Sequence, residues 1–274
     1  MKIFINSLPK SGTNLVAKLV EGLGYKYSNK SIALSSKLGR YEGVKRLTRS
    51  AWLRDGSIEI GLEINADLSA AWVEKYLAQV QDGQYVTGHA AYSDQLNNIL
   101  INNGYKTIQV IRNPLDVMFS YAKYIVEKEN RYYPTHATLA SLTLNERVKF
   151  LAKGGRLSDC NHYLRGIKEV LRSQEGWFQD QAALAVRFED LVGPKGGGAQ
   201  GAQKNIVKEI CNYIDVDEKK GLRLIDSLYG GTHTFRSGKI GSASESLDAE
   251  TLKLVMQKLH GNRLVSDLGY INEV

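Results

Sequence analysis

Residues 2–23 read KIFINSLPKSGTNLVAKLVEGL, and the texture of the chain changes twice along them. Residues 2–8 carry the β-branched and aromatic side chains of a short strand. Pro9, Lys10, Ser11 and Gly12 then interrupt, after which Leu15, Val16, Leu19, Val20 and Leu23 recur at helical spacing. The segment predicts strand, loop, helix. A helix that leaves a strand through a glycine-bearing turn aims backbone N–H groups and the positive end of its dipole at one point, which suits a phosphate or sulfate. Lys10 adds a cation, and Ser11 and Thr13 add hydroxyl donors. The order is not that of a nucleotide triphosphatase loop, in which Lys follows directly on the second of two glycines. Here Lys10 precedes the loop's only glycine, and taken alone these residues also read as an ordinary helix cap.

The same alternation continues outward. Short strand patterns recur at 84–87, 107–111 and 184–188, separated by helical patterns at 66–80, 92–102 and 115–126. Residues 145–172 read as helix in two pieces, and 203–213, 219–228 and 249–259 as further helices. Strands alternating with helices predict an α/β fold, a central parallel sheet flanked by helices, here as one domain over residues 1–274. The last third offers no clear new strand after 188 and reads as a helical cap on the same core. Three stretches break the pattern: 26–64, 131–143 and 193–203, the last with Pro194 and three consecutive glycines.

The chain has 274 residues, 43% hydrophobic and 24% charged, enough apolar content to bury a core and to exclude disorder. Its longest apolar runs, such as 108–111, fall far short of the roughly 20 residues a spanning helix needs, so an integral membrane protein is not expected. The apolar stretch at the N-terminus stops at Asn6, too early for the core of a signal peptide, and a cytoplasmic location is expected. Cys160 and Cys211 lie far apart without partners of metal-ligand spacing, which suggests neither a disulfide framework nor a zinc site. A net charge of +7 biases the surface toward anionic partners without choosing among nucleic acid, membrane surface and phosphorylated small molecules.

A second loop of interest follows the strand at 107–111. Arg112 lies at its carboxyl end and Pro114 suits a first helical turn, so Arg112, with Ser120 two turns along, projects toward the crevice where open sheets bind ligands.

These two loops together, Pro9-Lys10-Ser11-Gly12-Thr13 and Arg112-Asn113-Pro114-x-Asp116-x-x-x-Ser120-Tyr121, resemble the sulfotransferases that use 3′-phosphoadenosine 5′-phosphosulfate (PAPS). Residues 235–241, Phe-Arg-Ser-Gly-Lys-Ile-Gly, are similar to that family's late Phe-Arg-Lys-Gly-x-x-Gly-Asp loop, with Ser237 in place of Lys and Ser242 in place of Asp. Arg187, Phe188, Glu189 and Asp190 are similar to its Tyr-Glu-Asp stretch. The four elements keep the family's order. The resemblance implies a P-loop-kinase-like sulfotransferase fold, with Lys10, Ser11, Gly12, Thr13 and Asn14 holding the 5′-phosphosulfate. Arg112, Ser120, Arg236, Ser237 and Gly238 would hold the 3′-phosphate, for which an Arg fork gives charge-assisted bonds. Leu15 stands where the family has a Trp against adenine, and Phe188 where it has a Tyr.

Residues 85–92, Tyr-Val-Thr-Gly-His-Ala-Ala-Tyr, fall where relatives acting on small alcohols and phenols carry Lys-Thr-His-Leu-Pro. Imidazole suits a hydroxyl's proton because its reference pKa of about 6.5 lies near working pH. The resemblance thus makes His89 the general base. It implies in-line transfer of the sulfuryl group to a hydroxyl or amine, with Lys10 neutralising charge on the departing phosphate and 3′-phosphoadenosine 5′-phosphate (PAP) as product. No metal is expected, and no nucleic-acid or membrane partner. Thr87 replaces the Lys that many members carry near the transferring group. A small-molecule acceptor, of the kind found in bacterial secondary metabolism, is expected between 26–64, the loop after His89 and 131–143, where Trp52, Tyr132 and Tyr133 could line a pocket. Glu59, Glu63 and Asp67 have the spacing of one helix face, a solvated face or a site for a cationic acceptor.

Two other classes compete. A P-loop kinase shares the opening strand-loop-helix but needs Mg²⁺ and an acidic ligand for it, and would phosphorylate an acceptor from ATP. A nucleic-acid-binding protein accounts for the net charge but gives no reason for the ordered set Lys10, Arg112 and Arg236, and would bind unrelated DNA with steep salt dependence. The family's C-terminal dimer motif is not evident, so the sequence assigns no oligomeric state.

Overall fold

The structure, a computed structural model, describes residues 1–33, 56–61, 66–127, 133–158, 163–179, 183–230 and 238–270. Chain proximity divides it into two units built from separate stretches, and the first comprises Met1–Gly61, Ala66–Arg112 and Gly176–Ile240.

The first unit holds the sheet. Strands β1 (Lys2–Ser7), β2 (Lys26–Ile32), β5 (Gln84–Gly88), β6 (Tyr105–Ile111) and β9 (Leu184–Arg187) lie in the order β2, β5, β1, β6, β9, every pair parallel. Side chains alternate across β1, and the two faces meet different cores. Ile3 and Ile5 pack with Val16, Leu19 and Val20 of α1 (Thr13–Gly22), with Val207 and Ile210 of α9 (Gln200–Tyr213) and with Leu228 of α10 (Glu218–Leu228). Phe4 faces the other way, onto Val73 and Leu77 of α2 (Ala70–Ala78), Leu96 and Leu100 of α3 (Asp94–Asn102) and Trp177. Both faces are covered, which is why the central strands read as nearly unbroken apolar runs. The single turn α8 (Phe188–Leu191) follows β9 directly.

Two expectations are corrected. The segment 66–80 is not one helix: Ala66–Ser69 forms β4, antiparallel to β3 (Ser57–Ile60), and α2 begins only where Ser69 accepts a hydrogen bond from Trp72 N–H at 3.4 Å. That cap sets the helix start one turn later than periodicity alone suggests. Glu59 and Asp67 therefore face each other across two antiparallel strands rather than along a helix, and Glu63 lies outside the described residues. The second correction concerns β2, whose sequence KYSNKSI lacks apolar alternation because it is an edge strand, largely exposed and irregular between Tyr27 and Ser31.

The second unit lies within Asn113–Glu175 and Gly241–Val274. Its helix α4 (Pro114–Tyr124) packs against α6 (Leu144–Lys153) and α11 (Ser242–Ser246), and α12 (Ala249–Leu259) against α6 and α7 (Ile167–Arg172). The short helix α5 (Pro134–Ala140) and the two-residue strands β7 (Gly155–Arg156) and β8 (Tyr163–Leu164), paired antiparallel, connect these helices. The C-terminal helices thus divide: α9 and α10 cover the sheet, while those from residue 242 onward belong to this second unit. Among the described residues no helix is long and apolar enough to cross a membrane.

Candidate active site

Parallel strands share one carboxyl edge, and register aligns Ser7 with Val110, Asn6 with Gly88, and Ile111 with Arg187. Leu8, His89, Arg112 and Phe188 consequently leave the sheet along the same edge, where ligands of open α/β sheets bind.

The first loop turns sharply. Lys10 (φ 69°) and Gly12 (φ 108°) both adopt left-handed backbone, which is uncommon for a lysine and marks a constrained turn. Only glycine fits at 12, because a Cβ there would stand 2.7 Å from Cδ2 of Phe188. The Ser11 hydroxyl is wholly buried and has no hydrogen-bond partner among the described residues. Thr13 opens α1 with its hydroxyl 2.5 Å from that of Ser7, and Asn14 follows on the exposed side. Leu15 packs part-buried against the core on the α1 face.

Arg112, 7% exposed, ties three stretches together. Its guanidinium donates to the Lys10 carbonyl at 3.3 Å and to the Lys239 carbonyl at 2.9 Å, and it stacks 4.3 Å over the Phe188 ring. Phe188 thus touches Gly12 and carries Arg112, fixing loop and cation relative to each other. Gly238 adopts φ 53°, and Ile240 N–H donates to Gly196 O at 3.0 Å, which holds the end of the late loop. Arg236 and Ser237 lie outside the described residues, as do Trp52, Tyr132 and Cys160; Tyr133 precedes α5, and Cys211 is buried as a free thiol in the sheet core. Ser120 lies on α4, in the second unit.

His89 follows β5. Its Nδ1 lies 2.8 Å from the Ser7 carbonyl, an oxygen that can only accept, so Nδ1 carries the proton and Nε2 presents a lone pair. Burial pushes the imidazole below its ordinary pKa; the Ser7 bond opposes this and the Lys10 charge adds to it. The ring is neutral at neutral pH, with Nε2 able to take a proton.

Several residues that hold the site or the elements around it were given no role from the sequence. Ser7 orients His89 and meets Thr13. Buried Asp116 accepts from Gly241 N–H at 2.8 Å and Ala243 N–H at 3.0 Å, anchoring the residues just past the late loop. Lys18 donates to the carbonyls of Ser227, Leu228 and Gly230 and so caps α10. Asn6 was legible in principle, as an amide in an otherwise apolar strand covered on both faces.

Residues 1–257 match the family described as the sulfotransferase domain. Among solved structures, a mouse sulfotransferase complexed with PAP shares the fold with a TM-score of 0.56 at 15% identity, covering 97% of this chain and 87% of its own. Retinol dehydratase, solved with androsterone and the inactive cofactor PAP, aligns with a TM-score of 0.54 at 15% identity over 96% of this chain and 81% of its own. A second structure of retinol dehydratase, in a complex with retinol and PAP, gives 0.53 at 15% identity over 96% and 82%. No curated protein sequence matches significantly. With a family match that starts at the first strand and takes in every loop of the carboxyl edge, the chain belongs to the sulfotransferase family and is an enzyme of that class.

Proposed function

We propose that this sulfotransferase moves the sulfuryl group of PAPS to the hydroxyl or amine of a small-molecule acceptor and releases PAP, with His89 as general base and Lys10 at the departing phosphate. The observation that carries the reading is the junction of Lys10, Arg112 and Lys239 beside the buried Ser11 hydroxyl. A buried hydroxyl without a partner costs about 1–3 kcal/mol. An anion in the loop would accept from it and from the first-turn N–H groups of α1, so the residues present fit a phosphosulfate. The PAP-bound fold neighbours support the same donor, and the androsterone and retinol in two of them support a small-molecule acceptor.

When bound, PAPS supplies an activated sulfuryl group on a phosphate leaving group. The chain supplies the rest. Nε2 of His89 accepts the proton of the attacking hydroxyl or amine, because Nδ1 is already committed to Ser7. Lys10 Nζ offsets charge on the departing oxygen, and Ser11 and Thr13 donate to the same group. Phe188 holds the Arg112 guanidinium over the loop for the 3′-phosphate. Asn14, Ser120, Arg236, Ser237 and Gly238 are assigned to PAPS on the resemblance of their motifs. We read residues 1–274 as a single sulfotransferase domain, a reading supported by a family match that runs through both units.

Incubating the protein with PAPS and a metabolite extract, followed by mass spectrometry, tests the proposal. A compound heavier by one sulfuryl group, formed with PAPS and not with ATP, is expected. Phosphorylation from ATP, or no PAPS-dependent product from any extract, contradicts it.

A further inference from the structure

We propose that Asn6 is a positioning residue for His89, fixing the ring by gripping the peptide that follows it. Asn6 is wholly buried near the end of β1. Its Oδ1 accepts from Ala90 N–H at 2.9 Å, and its Nδ2 donates to the Ala90 carbonyl at 3.0 Å and to Gln109 Oε1 at 2.8 Å. One side-chain amide therefore bonds both polar groups of a single residue, the neighbour of His89, while β6 supplies Gln109 to orient it. The Trp177 indole donates to the same Ala90 carbonyl at 3.2 Å.

The need for such a grip follows from the strand pairing. The β1–β5 ladder ends at Asn6 and Gly88. Gly88 is held at glycine because a Cβ would meet Phe4 at 2.5 Å, so close packing leaves no side chain there to anchor the turn. Asn6 extends the pairing past the end of β5 by using its amide as a peptide would. Backbone bonds from His89 N to Ile32 O (2.8 Å) and from Gly61 N to His89 O (3.0 Å) hold the other side. The next residue of β1, Ser7, then receives Nδ1. Asn6 and Ser7 point to opposite faces of the strand: one fixes the main chain, the other the ring.

This inference rests on the reading of His89 as the base, and the test separates the two. In ¹⁵N-histidine-labelled wild type, NMR should show His89 as a single Nδ1-protonated tautomer. Asn6→Leu, which removes the grip and keeps the volume, should give a mixture of tautomers while PAP affinity by calorimetry stays within about twofold. Turnover of the identified acceptor should fall about 10- to 100-fold with an unchanged KM for PAPS, the scale expected when a reacting group is misplaced by about an ångström. Combined with His89→Ala, the Asn6 change should cost nothing further. Near-normal turnover in His89→Ala would remove the base assignment and leave the tautomer result standing. A His89 tautomer unaltered in folded Asn6→Leu overturns the inference; if that variant does not fold, unaltered tautomer and turnover in Asn6→Ser do so.

Discussion

His89 shows how far local environment sets the role of one side chain. A histidine after a strand is chemically noncommittal until its partners are known. The Ser7 carbonyl decides the tautomer, and burial together with Lys10 lowers the pKa, which is the state the proposed role of general base requires. The acid limb of kcat/KM against pH should accordingly have its midpoint below 6.5, and a midpoint at or above that value contradicts the assignment. His89→Ala should lower turnover about 100- to 10,000-fold. The same depressed pKa has a stability consequence. The unfolded chain binds the proton more readily, so His89 penalises folding only as pH falls below its ordinary value; above that value its contribution is fully present. Gly12 makes the second residue-scale prediction. Gly12→Ala forces a Cβ into Phe188 at a positive φ, and calorimetry should find PAP affinity reduced while the far-ultraviolet spectrum is kept. Unchanged affinity would mean the loop does not hold the nucleotide.

At the scale of elements, the turn from β6 into α4 does two jobs four residues apart. Arg112 donates to Lys239 O, and Asp116 accepts from Gly241 and Ala243, so the stretch just after residues 231–237 is anchored by a motif that resembles a nucleotide-binding signature. Arg112→Ala should weaken PAP binding. Asp116→Ala leaves two N–H groups unpaired and should lower stability in urea by about 1–3 kcal/mol; an unchanged urea midpoint would contradict this. Much of this element layer was legible in the sequence. Strands β1, β5 and β6 announce themselves because burial on both faces demands apolar runs, and α1 and α12 because one face is apolar at helical period. Edge strand β2 has no such demand; β4 hides at the start of the segment 66–80, whose apolar spacing fits a helix equally well, and its antiparallel partner β3 falls in the stretch 26–64 that shows no regular pattern. The placement of Lys10 and Arg112 was legible because each stands beside a glycine or proline just past the carboxyl end of an apolar strand pattern. Asn6, Ser7 and Asp116 work through partners far along the chain, and no local pattern names those partners.

For the whole molecule, the net charge of +7 sets a general preference for anions, and at the carboxyl edge of the sheet the Arg112 guanidinium meets the backbone of Lys10. That meeting, of the loop after β1 with the end of β6 and the late loop, is the claim on which donor, base and leaving group all depend. Isothermal titration of PAP into the wild-type chain tests it most directly, with Lys10→Ala and Arg112→Ala measured beside it. One site per chain is expected in the wild type, with affinity sharply reduced in both variants. No binding to the wild type, or equal affinity in all three proteins, would contradict it.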